Sequence, residues 1–142
     1  FMAGILEHIT EMTVFLNPVK ESYKRLGEKK APKYVTWSHE NRSQLIRIPA
    51  VKNAANKRIE LRSPDPCANP YIAYALIIYA GLDGIKRGLT PAAPLNVNLF
   101  TADGEVTDGL VSLPDTVEKA KSIAAHSEFI KGALPAGFTE SI

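Results

Sequence analysis

Residues 41–65 read NRSQLIRIPAVKNAANKRIELRSPD. From Gln44 to Pro49, and again from Arg58 to Arg62, apolar and polar residues alternate, the pattern of a strand with one face on a core. Two paired antiparallel strands are expected. In the second, Ile59 and Leu61 point one way while Arg58, Glu60 and Arg62 point the other; in the first, Ile46 and Ile48 oppose Leu45 and Arg47. One sheet face can then carry Arg47, Arg58 and Arg62 around a single carboxylate.

Arginine keeps its charge at any ordinary pH and presents five donors in a planar fork, so several on one face repel unless something anionic lies over them. A phosphate or carboxylate ligand would serve. Glu60 among them could hold a hard cation such as Mg²⁺ that bridges phosphate oxygens. The other reading is a solvated face whose Arg and Glu side chains pair across strands for about a few tenths of a kcal/mol each. Charge pattern alone leaves both open.

The 142 residues suit a single domain with a real core, and 45% apolar with 23% charged residues is ordinary globular composition. A net charge of +2, with no aromatic platform between the basic residues, argues against a nucleic-acid partner. The lone Cys67 excludes an internal disulfide or a cysteine-based zinc site and fits a cytoplasmic location. No membrane partner is expected, because the longest apolar run, Tyr71–Leu82, falls short of the roughly 20 residues a span needs. Phe1–Leu16 carries Glu7, His8 and Glu11 without a basic start, unlike a signal peptide. The chain opens on Phe in mid-helix character, so a piece of a longer protein is expected.

Met2, Ile5, Leu6, Ile9, Met12 and Leu16 have the spacing of an amphipathic helix over 2–16, stopped by Asn17-Pro18. A short helical turn is predicted over Glu21–Leu26, then an exposed loop over Gly27–Pro32 (GEKKAP). Tyr34–Ser38 reads as a third strand, joining 44–49 and 58–62 in an antiparallel sheet. Asn69-Pro70 caps a helix over 70–87. It is apolar nearly all round, as expected of a central core helix. Thr90–Asn98 is predicted to be a loosely packed arm, and Asp103-Gly104 and Asp108-Gly109 read as turns. Asp115 or Thr116 caps a helix to about 125, and Ser127 caps one over 127–134. The fold class is thus α+β. Cys67 is expected to be packed in its Pro-Asp-Pro-Cys turn, and His8, His39 and His126 to be surface or capping residues.

The segments NPVKESYKRL (17–26), WSHENRSQLIRIP (37–49), RIELRSPDPCANPYIAYALIIYAGLDGI (58–85) and SLPDTVEKAKSIAAHSEFI (112–130) resemble, in order and largely in spacing, the C-terminal part of the catalytic domain of glutamine synthetase. The resemblance implies that residues 1–142 are one partial domain, without the family's N-terminal β-grasp domain and without its other metal-ligand glutamates and histidine. It implies a ligase that phosphorylates the γ-carboxylate of glutamate with ATP and lets ammonia displace the phosphate. Mg²⁺ or Mn²⁺ would be the cofactor, and the intact protein a homo-oligomer of stacked rings, a dodecamer.

Residue by residue, the resemblance makes Arg25, Arg42 and Arg62 glutamate contacts and Arg42, Arg47 and Arg58 nucleotide contacts. Glu60 becomes a metal ligand, and Arg62 and Arg42 the catalytic arginines. The flap glutamate that the family places just before the Ala-Pro dipeptide is here Lys30, in a loop about one residue shorter, leaving Glu28 as the nearby carboxylate for the base. Phe100 stands where many bacterial members carry an adenylylated tyrosine. Ala55 replaces a nucleotide-site lysine, with Lys52 and Lys57 as substitutes. The fragment alone is expected to be inactive. The alternatives are a γ-glutamyl ligase using another amine, or a catalytically silent homologue acting as a structural or binding subunit.

Overall fold

Helix α1 (Met2–Leu16) is the element around which the others pack. In the computed structural model, which describes residues 1–28 and 30–140, its Ile5, Ile9, Met12 and Leu16 are all essentially inaccessible. They meet Ala73, Leu76 and Ala80 of α3 (Pro70–Lys86), Leu45 and Ile46, and Leu113, Ile130 and Leu134. A smaller cluster joins Val14 of α1 to Tyr23 of α2 (Lys20–Arg25) and to Ala120 and Ala124 of α5 (Val117–His126). Burial there pushes the Tyr23 hydroxyl up to about 12, with the Glu118 carboxylate adding to the effect.

The start and stop signals behave as their chemistry dictates. The Asn69 side chain accepts from the Tyr71 and Ile72 N–H groups ahead of Pro70. Thr116 accepts from the Lys119 N–H at the start of α5, and Ser127 from the Ile130 N–H at the start of α6 (Glu128–Ala133). Two further short helices, α4 (Gly104–Thr107) and α7 (Ala136–Glu140), have no counterpart in the sequence reading. The first of them occupies the stretch between the two Asp-Gly pairs. No helix among the described residues is long and apolar enough to cross a membrane.

The α+β class holds, but the sheet is mixed rather than wholly antiparallel. Strand β1 (Trp37–His39) runs parallel to β2 (Ile46–Ile48), with Trp37 opposite Ile46; β2 runs antiparallel to β3 (Glu60–Leu61). Period-two alternation is the same in either direction, so it could not specify this. The direction is set in residues 40–45. Glu40 leaves β1 in the left-handed region, φ +65°, and the Asn41 side chain accepts from the Ser43 N–H, so the chain doubles back before entering β2. Tyr34 lies outside β1 and forms an isolated bridge to Ser112.

Three other expectations are corrected. Helix α3 is not central: one stripe packs on α1, and Tyr71, Tyr74, Ile78, Tyr79, Leu82 and Ile85 on its outer side are exposed. Cys67 is exposed; its thiol is pushed up in pKa by the Asp65 carboxylate and so is a weak nucleophile. His8, which falls within the apolar stripe of α1, is a buried clamp rather than a surface group. Its ring stacks on Phe129 with centroids 3.9 Å apart. Nδ1 lies 2.6 Å from Glu11 Oε2 and Nε2 lies 2.8 Å from Asp83 Oδ2, while the Ser127 hydroxyl donates to the other Glu11 oxygen.

This clamp gives a pH prediction. The His8 hydrogen bond first, then that from Arg87, holds the Asp83 carboxyl below the usual carboxylate range. A folded pKa below the unfolded value of ~3.9 means that Asp83 contributes stability above that pH and loses it as pH falls through the folded value. Asp83→Asn should therefore flatten the acid limb of the stability curve below about pH 4. Thermal unfolding from pH 7 down to pH 3 checks this; an acid slope equal to that of the wild type would remove Asp83 from the account.

Candidate active site

The antiparallel register places Arg47 opposite Glu60, and their side chains close a two-pronged contact. Arg47 Nη2 donates to Glu60 Oε2 at 2.6 Å and Nε to Oε1 at 3.2 Å. Arg62, two residues beyond Glu60 on the same face, donates from Nε to Oε1 at 2.8 Å. Both guanidiniums are largely covered while the carboxylate is about one-third exposed. The Arg47 guanidinium first, and then Arg62, outweigh burial and hold the Glu60 carboxyl below its ordinary range. Glu60 is therefore an anion at working pH, shared between two cations. Among the described residues Arg62 Nη1 is buried without a partner, although a buried N–H normally finds an acceptor.

Arg25 arrives from α2. Its Nη2 donates to the Ser63 carbonyl at 2.6 Å and to Asn17 Oδ1 at 3.0 Å, and its Nε is buried without a partner among the described residues. Asn17, which the sequence reading used only as a helix stop, is fully buried and steers this arginine. The proline that follows it was the visible signal, and it pointed to the helix end alone.

The remaining candidates make no side-chain hydrogen bond or ion pair with this cluster among the described residues. Arg42 is exposed on the 40–45 turn. Arg58 lies before β3 rather than in it, donates to the Asn56 carbonyl at 3.3 Å, and lines an open basin of about 610 Å³ with Lys52, Ala55 and Lys57. Glu28 is exposed on a turn closed by the Gly27 N–H donating to the Ala31 carbonyl. That turn needs left-handed backbone at Gly27, φ +88°, and again at Lys30, φ +70°. His39 and His126 are exposed, as expected.

The predicted loose arm is tied down. The Leu95 N–H donates to the Trp37 carbonyl, the Trp37 indole N–H to the Ala92 carbonyl, and Asn41 and Gln44 both donate to the Val97 carbonyl. Gln44 is wholly inaccessible. An uncharged polar residue leading into a strand gave no hint of that role. Among the described residues no group of three or more His, Cys, Asp or Glu side chains is placed to hold a metal ion; Glu60 is the carboxylate held directly between Arg47 and Arg62.

The family model described as "Glutamine synthetase, catalytic domain" matches residues 1–142. A glutamine synthetase of Methanosarcina mazei is 48% identical over 137 residues, 94% of this chain and 30% of the relative. Those of Clostridium saccharobutylicum and Staphylococcus aureus are 42% and 44% identical over the same share of the chain, which covers 31% and 30% of them. Solved structures titled "GmaS/ADP complex-Conformation 1" and "Apo GmaS without ligand" superpose with TM-scores of 0.83 and 0.82 at 30% and 31% identity, over 99% of this chain and 34% and 32% of theirs. The chain spans less than a third of the length of these curated relatives. It belongs to the glutamine synthetase family.

Proposed function

We propose that residues 1–142 form the C-terminal part of the catalytic domain of an ATP-dependent glutamate–ammonia ligase, inactive without the rest of that domain. The observation that carries this reading is the Arg47–Glu60–Arg62 cluster with one Arg62 N–H buried and unpartnered. Buried guanidinium donors beside a shared anion suit a phosphoryl group better than a solvated surface.

In this reading a γ-carboxylate oxygen of glutamate attacks the terminal phosphorus of ATP, ADP departs, and a γ-glutamyl phosphate forms. The nitrogen of ammonia then attacks the acyl carbon, inorganic phosphate leaves, and the surplus ammonium proton passes to a base. Arg62 and Arg42 neutralise charge on the transferred phosphoryl oxygens, Arg25 holds glutamate, and Arg47 and Arg58 hold the nucleotide. Glu60 would be one ligand of a Mg²⁺ or Mn²⁺ ion, which would supply Lewis-acid neutralisation of the charge on the phosphoryl group. The donor chemistry fits, since Glu60 is ionised and partly open, but it supplies a single ligand and the others come from elsewhere in the intact protein. Glu28 is the nearest carboxylate in the flap for the base. The intact protein is a ring-forming homo-oligomer in the cytoplasm.

One observation favours a second reading, a catalytically silent homologue in the same superfamily. Lys30, exposed and left-handed, stands at the flap position, and a lysine cation repels ammonium and cannot accept a proton while charged. A homologue with no working base in the flap would be silent as a ligase, and a γ-glutamyl ligase for another amine, which Lys30 would repel equally as its ammonium ion, is the remaining alternative. Phosphate release by the intact protein with glutamate, ATP and Mg²⁺ decides between them, tested with ammonium and then a panel of amines. Release with ammonium supports the synthetase, and release with another amine alone supports a γ-glutamyl amine ligase. No release from a protein that still binds ATP supports a silent homologue. Within the same assay Glu60→Gln, which keeps shape but loses the charge a hard cation needs, is expected to raise the Mg²⁺ requirement by about tenfold or more. An unchanged Mg²⁺ titration would take Glu60 out of the metal site.

A further inference from the structure

We propose that Asn41, Ser43 and Gln44 are positioning residues for Arg42, setting its direction by strapping its turn to residues 95–99. The inference rests on the reading of Arg42 as a phosphate and glutamate contact.

Arg42 itself makes no hydrogen bond or ion pair among the described residues and its side chain is exposed, so its aim depends on its backbone. The residues on either side of it spend their polar groups on fixing that backbone. Asn41 Nδ2 donates to the Val97 carbonyl at 2.8 Å, and Gln44 Nε2 donates to the same oxygen at 2.9 Å. Asn41 Oδ1 accepts from the Ser43 N–H at 2.9 Å and from the Ser43 hydroxyl at 2.8 Å. The Ser43 oxygen in turn accepts the Leu99 N–H at 2.9 Å and lies 3.3 Å from the Val97 carbonyl.

Ser43 and Gln44 are buried, where an unmade hydrogen bond is costly, so the network has little freedom to rearrange. The strap is itself anchored to β1 through the Leu95 N–H and the Trp37 indole. A turn held only for stability has no reason to centre its bonds on the two neighbours of one unpartnered arginine. A guanidinium that must meet a transferred phosphoryl group does, because misplacement by about 1 Å can cost on the order of 10²-fold in rate.

A double-mutant cycle in the intact protein tests this. Asn41→Asp keeps the acceptor for Ser43 but turns a carboxylate oxygen toward the Val97 carbonyl. Gln44→Met keeps the volume and removes the second donor. Each is expected to lower kcat by about 10- to 100-fold in a protein whose unfolding midpoint shows it folded. Placed in an Arg42→Ala background, each should cost less than about twofold more, since groups acting through one another are not additive. The same cycle read in ATP affinity by calorimetry needs no turnover, so it tests the inference even where phosphate release fails. Equal losses with and without Arg42, or wild-type rates and affinities in both variants, would overturn the proposal. Wild-type turnover and affinity in Arg42→Ala would overturn the reading of Arg42 and the proposal with it.

Discussion

Replacing Arg62 by alanine in the intact protein is expected to lower amine-dependent phosphate release by ~10³-fold or more, the scale on which single arginines act in phosphoryl transfer. Its guanidinium is largely covered, one nitrogen is committed to Glu60 at 2.8 Å, and another is buried without an acceptor. That unfilled donor is preorganised, so it adds no reorganisation when charge builds on the transferred group. Arg62→Lys is expected to fail nearly as badly, because an ammonium cannot hold Glu60 and present a second directed donor from one planar fork. The effect on folding should be modest. Arg47 still engages both Glu60 oxygens, and a partly exposed ion pair contributes on the order of 1 kcal/mol or less. A folded Arg62→Ala protein that retains activity within about tenfold would return the cluster to an ordinary sheet-face ion pair, because a catalytic arginine is worth far more than that.

The parts of this site that follow a repeating pattern could be read from the sequence. Alternation in 44–49 and 58–62 put Arg47, Glu60 and Arg62 on one face, and the structure joins those side chains. Helix α1 matched its predicted bounds, and α3, α5 and α6 nearly did, because apolar spacing, Asn69-Pro70, Thr116 and Ser127 are local signals. What could not be read depends on contacts distant in sequence. The parallel pairing of β1 and β2 is made by a left-handed Glu40 and an Asn41 side-chain turn. The arm over 90–98 looked loose because its order comes from carbonyls meeting Trp37, Asn41 and Gln44, more than 50 positions away. His8 looked incidental because its partner Asp83 lies 75 positions along the chain. Arg58 belonged to the same alternating run, yet β3 begins only at Glu60, so its side chain joins the Lys52–Lys57 basin instead.

A large loss of stability is expected from one added methyl group, in Gly84→Ala. Helices α1 and α3 touch backbone to backbone where Gly4 faces Gly84, so that a Cβ on Gly84 would lie 2.5 Å from the Gly4 nitrogen and 2.6 Å from its Cα. No side-chain rotation relieves this, because the obstructing atoms are main chain; the helices must separate. Separation would loosen the packing of Ile5 and Ile9 against Leu76 and Ala80, which fill the core beside that crossing. Overpacking of this kind costs about 1–3 kcal/mol, and more where neighbours cannot yield. Alanine's higher helix propensity offsets only about 1 kcal/mol of it. Gly132→Ala is the matched control: Gly132 lies within α6, and a Cβ there meets nothing within 4 Å among the described residues. It should therefore stabilise by roughly 0.5–1 kcal/mol. Denaturant unfolding of the two variants should give shifts of opposite sign, with Gly84→Ala losing about 2 kcal/mol, a sizeable part of an ordinary domain's ~5–15 kcal/mol. Equal stabilisation in both variants would mean that α1 and α3 do not meet at this crossing.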